Sequence, residues 1–225
     1  MQQIGVIVVA AGQGSRMGGP LPKPYIMLGD KPLLAQTLSA FDRAGWFTDK
    51  VLVVGEDRLD FVKNEFPSWK VVSGGESRQD SVRKGLEALS SSSEFVLIHD
   101  GVRPFISQSL LQSLVETVRQ GEHCIAALPA KETLKNVKGA YVQTTLPRET
   151  VWMAQTPQAF RVESLRKAYQ KIEGTNFVAT DEASLIEHLG EAVQVVLGDP
   201  RNIKITTPED FQLAQVLWAQ WKERL

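Results

Sequence analysis

Glycines and basic residues follow the first apolar run of the chain, residues 4–11. They are Gly12, Gly14, Arg16, Gly18, Gly19 and Lys23. Glycine has no side chain to cover the backbone, so its amide N–H groups can point at an anion and donate hydrogen bonds to it. The guanidinium of Arg16 and the ammonium of Lys23 add positive charge beside those amides. The segment therefore predicts a cradle for a polyphosphate.

Two common glycine motifs do not match this segment. A dinucleotide fingerprint requires glycine where Met17 stands, and Asp30, the nearest candidate for its acidic residue, lies in a turn sequence. A P-loop requires Gly-Lys followed by Ser or Thr, and no such tripeptide follows. A strand-to-helix turn without a ligand is the alternative. Arg16, Lys23 and the bend made by the two prolines around Lys23 favour the cradle.

A carboxylate ends the apolar run of residues 95–100. Asp100 stands three residues before Arg103, in the sequence His-Asp-Gly-Val-Arg-Pro. Ligands of open α/β sheets bind at the carboxyl ends of the strands, so Asp100 could hold Mg²⁺, directly or through water, or bind a ribose hydroxyl. A structural ion pair between Asp100 and Arg103 is the alternative. His99 points to the opposite face of the strand and is interpreted as structural.

A second glycine pair, Gly74-Gly75, precedes Glu76 and a helical pattern that begins at Ser77. The backbone groups of such a turn and the hydroxyl of Ser81 suit hydrogen bonding to the edge of a nucleobase. A capped helix start explains the same residues nearly as well.

The bulk composition limits the classes of partner. The chain has 225 residues, and its net charge of −1 provides no general attraction for nucleic acid or an anionic membrane. Its one cysteine, Cys124, excludes an internal disulfide and favours a reducing compartment. No apolar segment has the length of a membrane span and the N-terminus does not read as a signal peptide, so we expect a cytoplasmic protein.

Apolar strands alternate with helical patterns along the chain, which predicts an α/β fold, Rossmann-like, with a mainly parallel sheet and helices on both faces. The predicted strands are residues 4–11, 50–55, 69–73, 95–100, 125–128, 193–197 and 202–205. The predicted helices are residues 32–43, 57–66, 77–89, 107–121, 163–172, 180–189 and 208–225. No linker divides the chain, so we expect one domain over residues 1–225.

Residues 131–147 do not follow this alternation of strands and helices. Apolar and polar residues alternate on both sides of Lys138-Gly139, which predicts a β-hairpin that no helix covers. Such a hairpin projects from the domain with unpaired edges, so it is either an arm that binds a partner or a solvent-exposed flap.

The chain resembles the nucleotidyltransferases of GT-A-like fold, and the 2-C-methyl-D-erythritol 4-phosphate cytidylyltransferase family in particular. The resemblance begins with Ala-Ala-Gly-x-Gly-x-Arg-Met-Gly at residues 10–18 and Pro-Lys at 22–23. It continues at residues 74–81, 99–104, 132–133, 156–160, 180–184 and 202–204, and so covers nearly the whole chain. Pro24 departs from the family's glutamine, and Gly101-Val102 depart from a pair of alanines.

The resemblance implies a role for each matching residue. Arg16, Lys23, Arg148 and Lys204 are implied as catalytic, because they neutralise the phosphates of the two substrates. The implied nucleotide contacts are Ala10, Ala11, Gly12, Gly14, Gly75, Glu76, Ser81 and Asp100. The implied acceptor contacts are Arg103, Thr133, Arg148, Thr156, Thr180, Asp181 and Lys204. Asp100 is also the candidate ligand for Mg²⁺ or another divalent cation, directly or through water and the CTP phosphates.

The implied reaction transfers CMP from CTP to 2-C-methyl-D-erythritol 4-phosphate and releases pyrophosphate, a step of non-mevalonate isoprenoid biosynthesis. A homodimer is also implied, because in the family the arm matching residues 131–150 reaches into the neighbouring subunit. A ribitol 5-phosphate cytidylyltransferase shares most of these motifs and is the nearest alternative. A non-catalytic nucleotide-binding protein of the same fold is a second alternative, against which the full set of cations argues.

Overall fold

The structure, a computed structural model, describes residues 3–12 and 22–221. The strands are β1 Gln3–Ala10, β2 Met27–Leu28, β3 Lys31–Pro32, β4 Asp49–Val54, β5 Lys70–Ser73, β6 Ser93–Asp100, β7 His123–Pro129, β8 Lys135–Lys138, β9 Tyr141–Thr145, β10 Trp152–Arg161 and β11 Val193–Leu197. The helices are α1 Leu33–Ala44, α2 Leu59–Glu65, α3 Arg78–Ala88, α4 Gln108–Arg119, α5 Val162–Ile172, α6 Glu182–Leu189 and α7 Pro208–Trp221.

Seven strands form the main sheet in the order β11-β7-β10-β6-β1-β4-β5. Strand β10 runs antiparallel to β6 and β7, and the other pairs are parallel. In the register of β1, Val9 lies opposite Asp100 of β6 and Ala10 lies opposite Val54 of β4. The carboxyl ends of these three strands therefore meet at one edge, and the predicted mainly parallel sheet is confirmed.

Helices cover both faces of the sheet, as the sequence predicts. Along β1, Ile4, Val6 and Val8 pack with α1, α2 and α4, while Ile7 packs with α3, α5 and α6 on the opposite face. Each of these β1 side chains has an exposed fraction of 0%. Full burial of a Val or Ile stabilises the fold by about 1.5–3 kcal/mol, which explains an uninterrupted β-branched run in a central strand.

A third apolar cluster attaches α7 to the edge of the sheet that carries the strand ends. It includes Ile205, with Phe105 and Trp221 in a T-shaped ring contact at 5.6 Å. The strand predicted over residues 202–205 is wrong, because this segment is irregular. Its backbone bonds are local turns and one contact from Ile205 N to Val102 O at 3.0 Å, so the alternating isoleucines reflect packing of Ile205 and not a sheet ladder.

The predicted hairpin is present as β8 and β9. Gly139 has φ +63° in its two-residue turn, a conformation that favours glycine. All residues of both strands are exposed, including Tyr141 at 78% and Val142 at 58%. A short hairpin of β2 and β3 is an additional element that the sequence did not predict. Among the residues described, no helix has the length and apolarity to cross a membrane.

Candidate active site

A cleft of about 460 Å³ opens where β1 and β6 end. The predicted site residues that line it are Ala10, Ala11, Gly12, Lys23, Gly75, Glu76, Ser81, Asp100 and Lys204. A neighbouring cleft of about 600 Å³ shares Gly12, Gly75 and Glu76 with it and extends to Gly55 and Arg58 after β4. The structure thus brings Gly12, Gly75 of the second glycine pair and Lys204 together at this cleft, whereas Arg103 and Thr156 are not among the described residues that line it.

Asp100 is surrounded by three basic side chains. Lys204 Nζ lies 3.0 Å from Asp100 Oδ2 and Arg103 Nε lies 3.2 Å from the same atom, while Arg78 Nε lies 3.3 Å from Oδ1. Burial by itself raises the pKa of the Asp100 carboxyl, but Lys204, Arg78 and Arg103 outweigh it and hold that pKa well below its usual value. The Asp100–Arg103 pair is therefore one contact of a larger cluster, in which an ionised Asp100 gathers three cations.

Arg78 and Glu182 complete this cluster, and the sequence did not predict either of them. Arg78 Nη1 and Nη2 donate to the two carboxylate oxygens of Glu182 at 2.8 and 2.9 Å, and only 1% of Glu182 is exposed. Burial raises the pKa of Glu182 while the Arg78 fork opposes that shift, and a carboxylate whose two oxygens both accept N–H groups is ionised. Both residues stand in recognised motifs, but no sequence signal pairs positions 104 residues apart.

His99 and Thr156 fix the backbone beneath Asp100. Burial lowers the pKa of His99 to about 3, so the imidazole is neutral. Its Nε2 lies 3.1 Å from the Arg103 carbonyl, which can only accept, so Nε2 carries the proton and Nδ1 accepts from the Thr156 hydroxyl at 3.0 Å. The same hydroxyl accepts from Asp100 N at 3.1 Å. The prediction that His99 is structural agrees with these contacts, and Thr156 uses its hydroxyl inside the fold.

Lys23 reaches the cleft from the other side. Its side chain is buried, and Nζ donates to the carbonyl oxygen of Thr206. Thr206 in turn is fixed by Asp210 Oδ2, which accepts from Thr206 N and Oγ1 at 2.8 Å each. Because Lys204 precedes Thr206 by two residues, these contacts set the positions of two predicted catalytic lysines together.

The second glycine pair, Gly74-Gly75, packs closely against neighbouring side chains. A Cβ at Gly75 would overlap the Cβ of Asp80, so only glycine fits this position as it stands. Ser81 Oγ accepts from Gly75 N at 3.1 Å and donates to Ser77 O at 2.9 Å, and Ser77 caps α3 in a capping box with Asp80. The capped helix start is confirmed, and contact between this turn and a nucleobase stays a prediction.

The comparisons with known proteins agree with this geometry. The family model of 2-C-methyl-D-erythritol 4-phosphate cytidylyltransferase matches residues 4–220. The chain belongs to this family. It is 44% identical to the 2-C-methyl-D-erythritol 4-phosphate cytidylyltransferase of Halalkalibacterium halodurans over 97% of the chain and 98% of that protein. It is 45% identical to that of Geotalea uraniireducens over 95% of both. The prediction of a nucleotidyltransferase of this family is confirmed.

A solved structure supports the family fold over the full length. The crystal structure of the 4-diphosphocytidyl-2C-methyl-D-erythritol synthase of Anaerococcus prevotii superposes with a TM-score of 0.86 at 34% identity, covering 97% of this chain and 99% of that one. The corresponding structure from Thermus thermophilus gives a TM-score of 0.82 at 31% identity, covering 97% of this chain. The GT-A-like fold predicted from the sequence is therefore the fold of the chain.

Several residues that the family resemblance selected lie away from the cleft lining or outside the described residues. Thr133 and Arg148 are exposed on the arm, where Arg148 Nη1 donates to Lys131 O at 3.2 Å. Thr180 is exposed, and Asp181 caps α6 by accepting from Ser184 N at 3.0 Å, which is why α6 begins at residue 182. Arg16 and Gly14 lie outside the described residues.

The residues around Asp100 do not fit a metal ion held directly by the protein. Mg²⁺ prefers several oxygen ligands, and Asp100 already faces three cations. Within residues 3–12 and 22–221, no group of three His, Cys, Asp or Glu side chains is placed to share a metal ion. Direct ligation of a metal ion by Asp100 would require these cations to be displaced, and a divalent cation bound through the phosphates of CTP stays a prediction.

Proposed function

We propose that the cleft transfers CMP from CTP to 2-C-methyl-D-erythritol 4-phosphate, giving 4-diphosphocytidyl-2-C-methyl-D-erythritol and pyrophosphate. The observation that carries the proposal is the convergence of Lys23, Lys204, Arg103 and Arg78 at one sheet edge, in a chain of this family. Magnesium enters as part of the substrate, bound to the CTP phosphates. The cations then receive two anionic substrates that would otherwise repel each other.

The reaction forms one bond and breaks one. An oxygen of the acceptor phosphate forms a bond to the α-phosphorus of CTP, and the bond from that phosphorus to the oxygen bridging it to the β-phosphorus breaks. A phosphate monoester has a second pKa near 6, so it is largely dianionic at neutral pH and is already a nucleophile. The protein's task is therefore placement and charge neutralisation.

The histidines support a mechanism without a general base. His99 is neutral and buried, and its two ring nitrogens face the Arg103 carbonyl and the Thr156 hydroxyl. His123 Nε2 lies 2.7 Å from Glu191, and His188 stacks on Phe177 with ring centres 4.4 Å apart. None of the three lines the described part of the cleft.

The two lysines have distinct tasks in the proposed reaction. Lys23, with Arg16 and the amides of Gly12 and Gly14, holds the triphosphate and the charge of the departing pyrophosphate. Lys204 holds the acceptor phosphate: an ammonium has three donors, and Asp100 accepts from one of them. Asp100 thereby places Lys204 between the two substrates and can accept from a ribose hydroxyl.

The second part of the proposal is a homodimer in which the arm completes the partner's cleft. Thr133 and Arg148 are exposed and outside the cleft lining of their own chain. The arm also exposes Val137, Tyr141 and Val142, three apolar side chains on an uncovered hairpin. An Arg148 supplied across a dimer interface would hold the acceptor phosphate opposite Lys204. Thr180 and Asp181 would line the same acceptor side, and the reaction would take place in the cytoplasm.

The proposed substrate pair is tested by pyrophosphate release. Purified protein is given CTP with 2-C-methyl-D-erythritol 4-phosphate, and in parallel CTP with ribitol 5-phosphate, with UTP as the control nucleotide. We expect release only with CTP and the methylerythritol phosphate. Faster release with ribitol 5-phosphate would show that this compound is the acceptor. No release with either acceptor would favour the non-catalytic nucleotide-binding alternative.

A further inference from the structure

A single guanidinium bridges two carboxylates at the wall of the cleft. Arg78 is the first residue of α3 and Glu182 is the first residue of α6, and both helices begin at the edge where the strands end. The terminal nitrogens of Arg78 donate to Glu182, and its Nε lies 3.3 Å from Asp100 Oδ1. Within the part of the chain that the structure describes, Glu182 is therefore linked to the cleft lining through Arg78.

The two-point contact between Arg78 and Glu182, called the fork, fixes more than one side chain. A guanidinium is planar and rigid, so once Nη1 and Nη2 face Glu182 the direction of Nε–H is set. That N–H meets Oδ1 of Asp100 and leaves Oδ2 for Lys204 and Arg103. The rotation of the Asp100 carboxylate, and with it the position of the Lys204 ammonium, depends on Glu182.

The pair is not explained by stability alone. A buried ion pair gains little over apolar residues of the same volume, because removing two charges from water offsets their attraction. Glu182 is nearly inaccessible, whereas the side chain of Arg78 retains 29% exposure and lines the cleft. Without the Glu182 carboxylate, the two terminal nitrogens of Arg78 would lose their acceptors, and the guanidinium could turn away from Asp100.

We propose that Glu182 is a positioning residue, which orients Arg78 and through it the Asp100–Lys204 pair that receives the two substrates. The inference rests on the proposed function where it is tested by kcat for CMP transfer. Its structural content, the dependence of the Asp100 cluster on Glu182, is also measurable through CTP binding alone.

The test compares Glu182→Gln with Glu191→Gln. Glutamine preserves the size of the side chain and removes its charge. Glu191 is the matched control, because it also pairs with a buried partner, His123 Nε2 at 2.7 Å, but it lies outside the cleft lining. We expect kcat for CMP transfer to fall by about tenfold to a hundredfold in Glu182→Gln, the scale for a misplacement of the order of an ångström. The control should keep wild-type kcat.

Two further variants separate positioning from support of the fold. Arg78→Lys keeps the positive charge but cannot form the fork, so it should reproduce the loss in kcat even if Glu182→Gln fails to fold. Glu182→Asp restores a carboxylate and should recover part of the rate. The double variant Glu182→Gln with Arg78→Lys should be no slower than the slower single variant, because both act on one contact.

Outcomes that overturn the inference are distinct from failure of the proposed reaction. Wild-type kcat in Arg78→Lys, a Glu182→Asp variant no faster than Glu182→Gln, or additive losses in the double variant would each contradict it. If the wild-type protein releases no pyrophosphate at all, calorimetric titration with CTP decides instead. An about tenfold weaker Kd in Glu182→Gln than in Glu191→Gln supports the inference, and equal Kd values contradict it.

Discussion

The Asp100 cluster and the arm of residues 131–150 differ in almost every physical respect. Asp100 is 6% exposed and contacts three cations, while Arg148 on the arm contacts Lys131 O and the neighbouring Glu149. The first region is preassembled by one chain, and the second leaves Thr133 and Arg148 exposed. This difference is the basis of the proposal that one chain builds the nucleotide side of the site and that the partner's arm completes the acceptor side.

The largest effect is expected inside the preassembled region. Lys23→Ala should lower kcat by about 10²–10³, the scale for losing one preorganised electrostatic contact in a site. Lys70→Ala is the control, because the Lys70 ammonium donates to Ala88 O at 2.6 Å on an exposed surface and lies outside the cleft lining. Steady-state kinetics with both substrates measure the two variants, and a near-normal kcat in Lys23→Ala would remove Lys23 from the mechanism.

An intermediate effect is expected on the arm. Arg148→Ala should raise the KM for 2-C-methyl-D-erythritol 4-phosphate by about tenfold to a hundredfold, because a charge-assisted hydrogen bond to phosphate is lost. The KM for CTP should stay unchanged. Lys138→Ala, at the tip of the same hairpin, is the control for general damage to the arm. A rise in the KM for CTP alone would show that Arg148 contacts CTP and not the acceptor.

Thr156 has two interpretations. The family resemblance implies that it contacts the acceptor, whereas in the structure its hydroxyl bonds His99 and Asp100 inside the fold. Thr156→Val removes the hydroxyl that bonds His99 Nδ1 and Asp100 N, which should lower the free energy of unfolding by about 1–3 kcal/mol. Thr156→Ser keeps the hydroxyl and should stay near wild-type stability. Urea unfolding measures both. Unchanged stability in the valine variant, together with a raised acceptor KM, would favour direct contact with phosphate.

The smallest effect concerns pH. The pKa of Asp100 is lowered in the folded protein, so its ion pairs stabilise the fold fully above the unfolded pKa of about 4, and this contribution is lost as pH falls further. Stability of the wild type should therefore fall by up to about 1.4 kcal/mol per pH unit below pH 4 on account of this group. Asp100→Asn should show a correspondingly shallower slope in urea unfolding between pH 4 and pH 3. Equal slopes would mean that Asp100 is not held by its cations.

Much of this architecture was accessible from the sequence because it follows from local patterns. The β-branched run before Gly12, the hairpin around Gly139 and the helix start at Ser77 each depend on residues close in the chain. The irregular segment at 202–205 was predicted as a strand because alternation of Ile203 and Ile205 does not reveal which backbone groups are paired.

Long-range contacts explain what the sequence did not reveal about the site. Arg78 and Glu182 meet because α3 and α6 lie on the same face of the sheet, an arrangement that depends on strand order. The tasks of His99 and Thr156 depend on β10 lying beside β6. The position of Asp100 at the end of a strand identified that residue and the family resemblance selected Lys204, whereas their direct contact required the tertiary structure.

Subunit complementation tests the comparison most directly. Lys23→Ala and Arg148→Ala chains are refolded together from an equimolar mixture and assayed for pyrophosphate release at an acceptor concentration below the wild-type KM, where each variant alone has little activity. If the arm serves the partner's cleft, each mixed dimer has one cleft with both Lys23 and Arg148. Random pairing should then restore about a quarter of wild-type activity. Activity no higher than the mean of the two parent variants would show that the arm does not complete the neighbouring site.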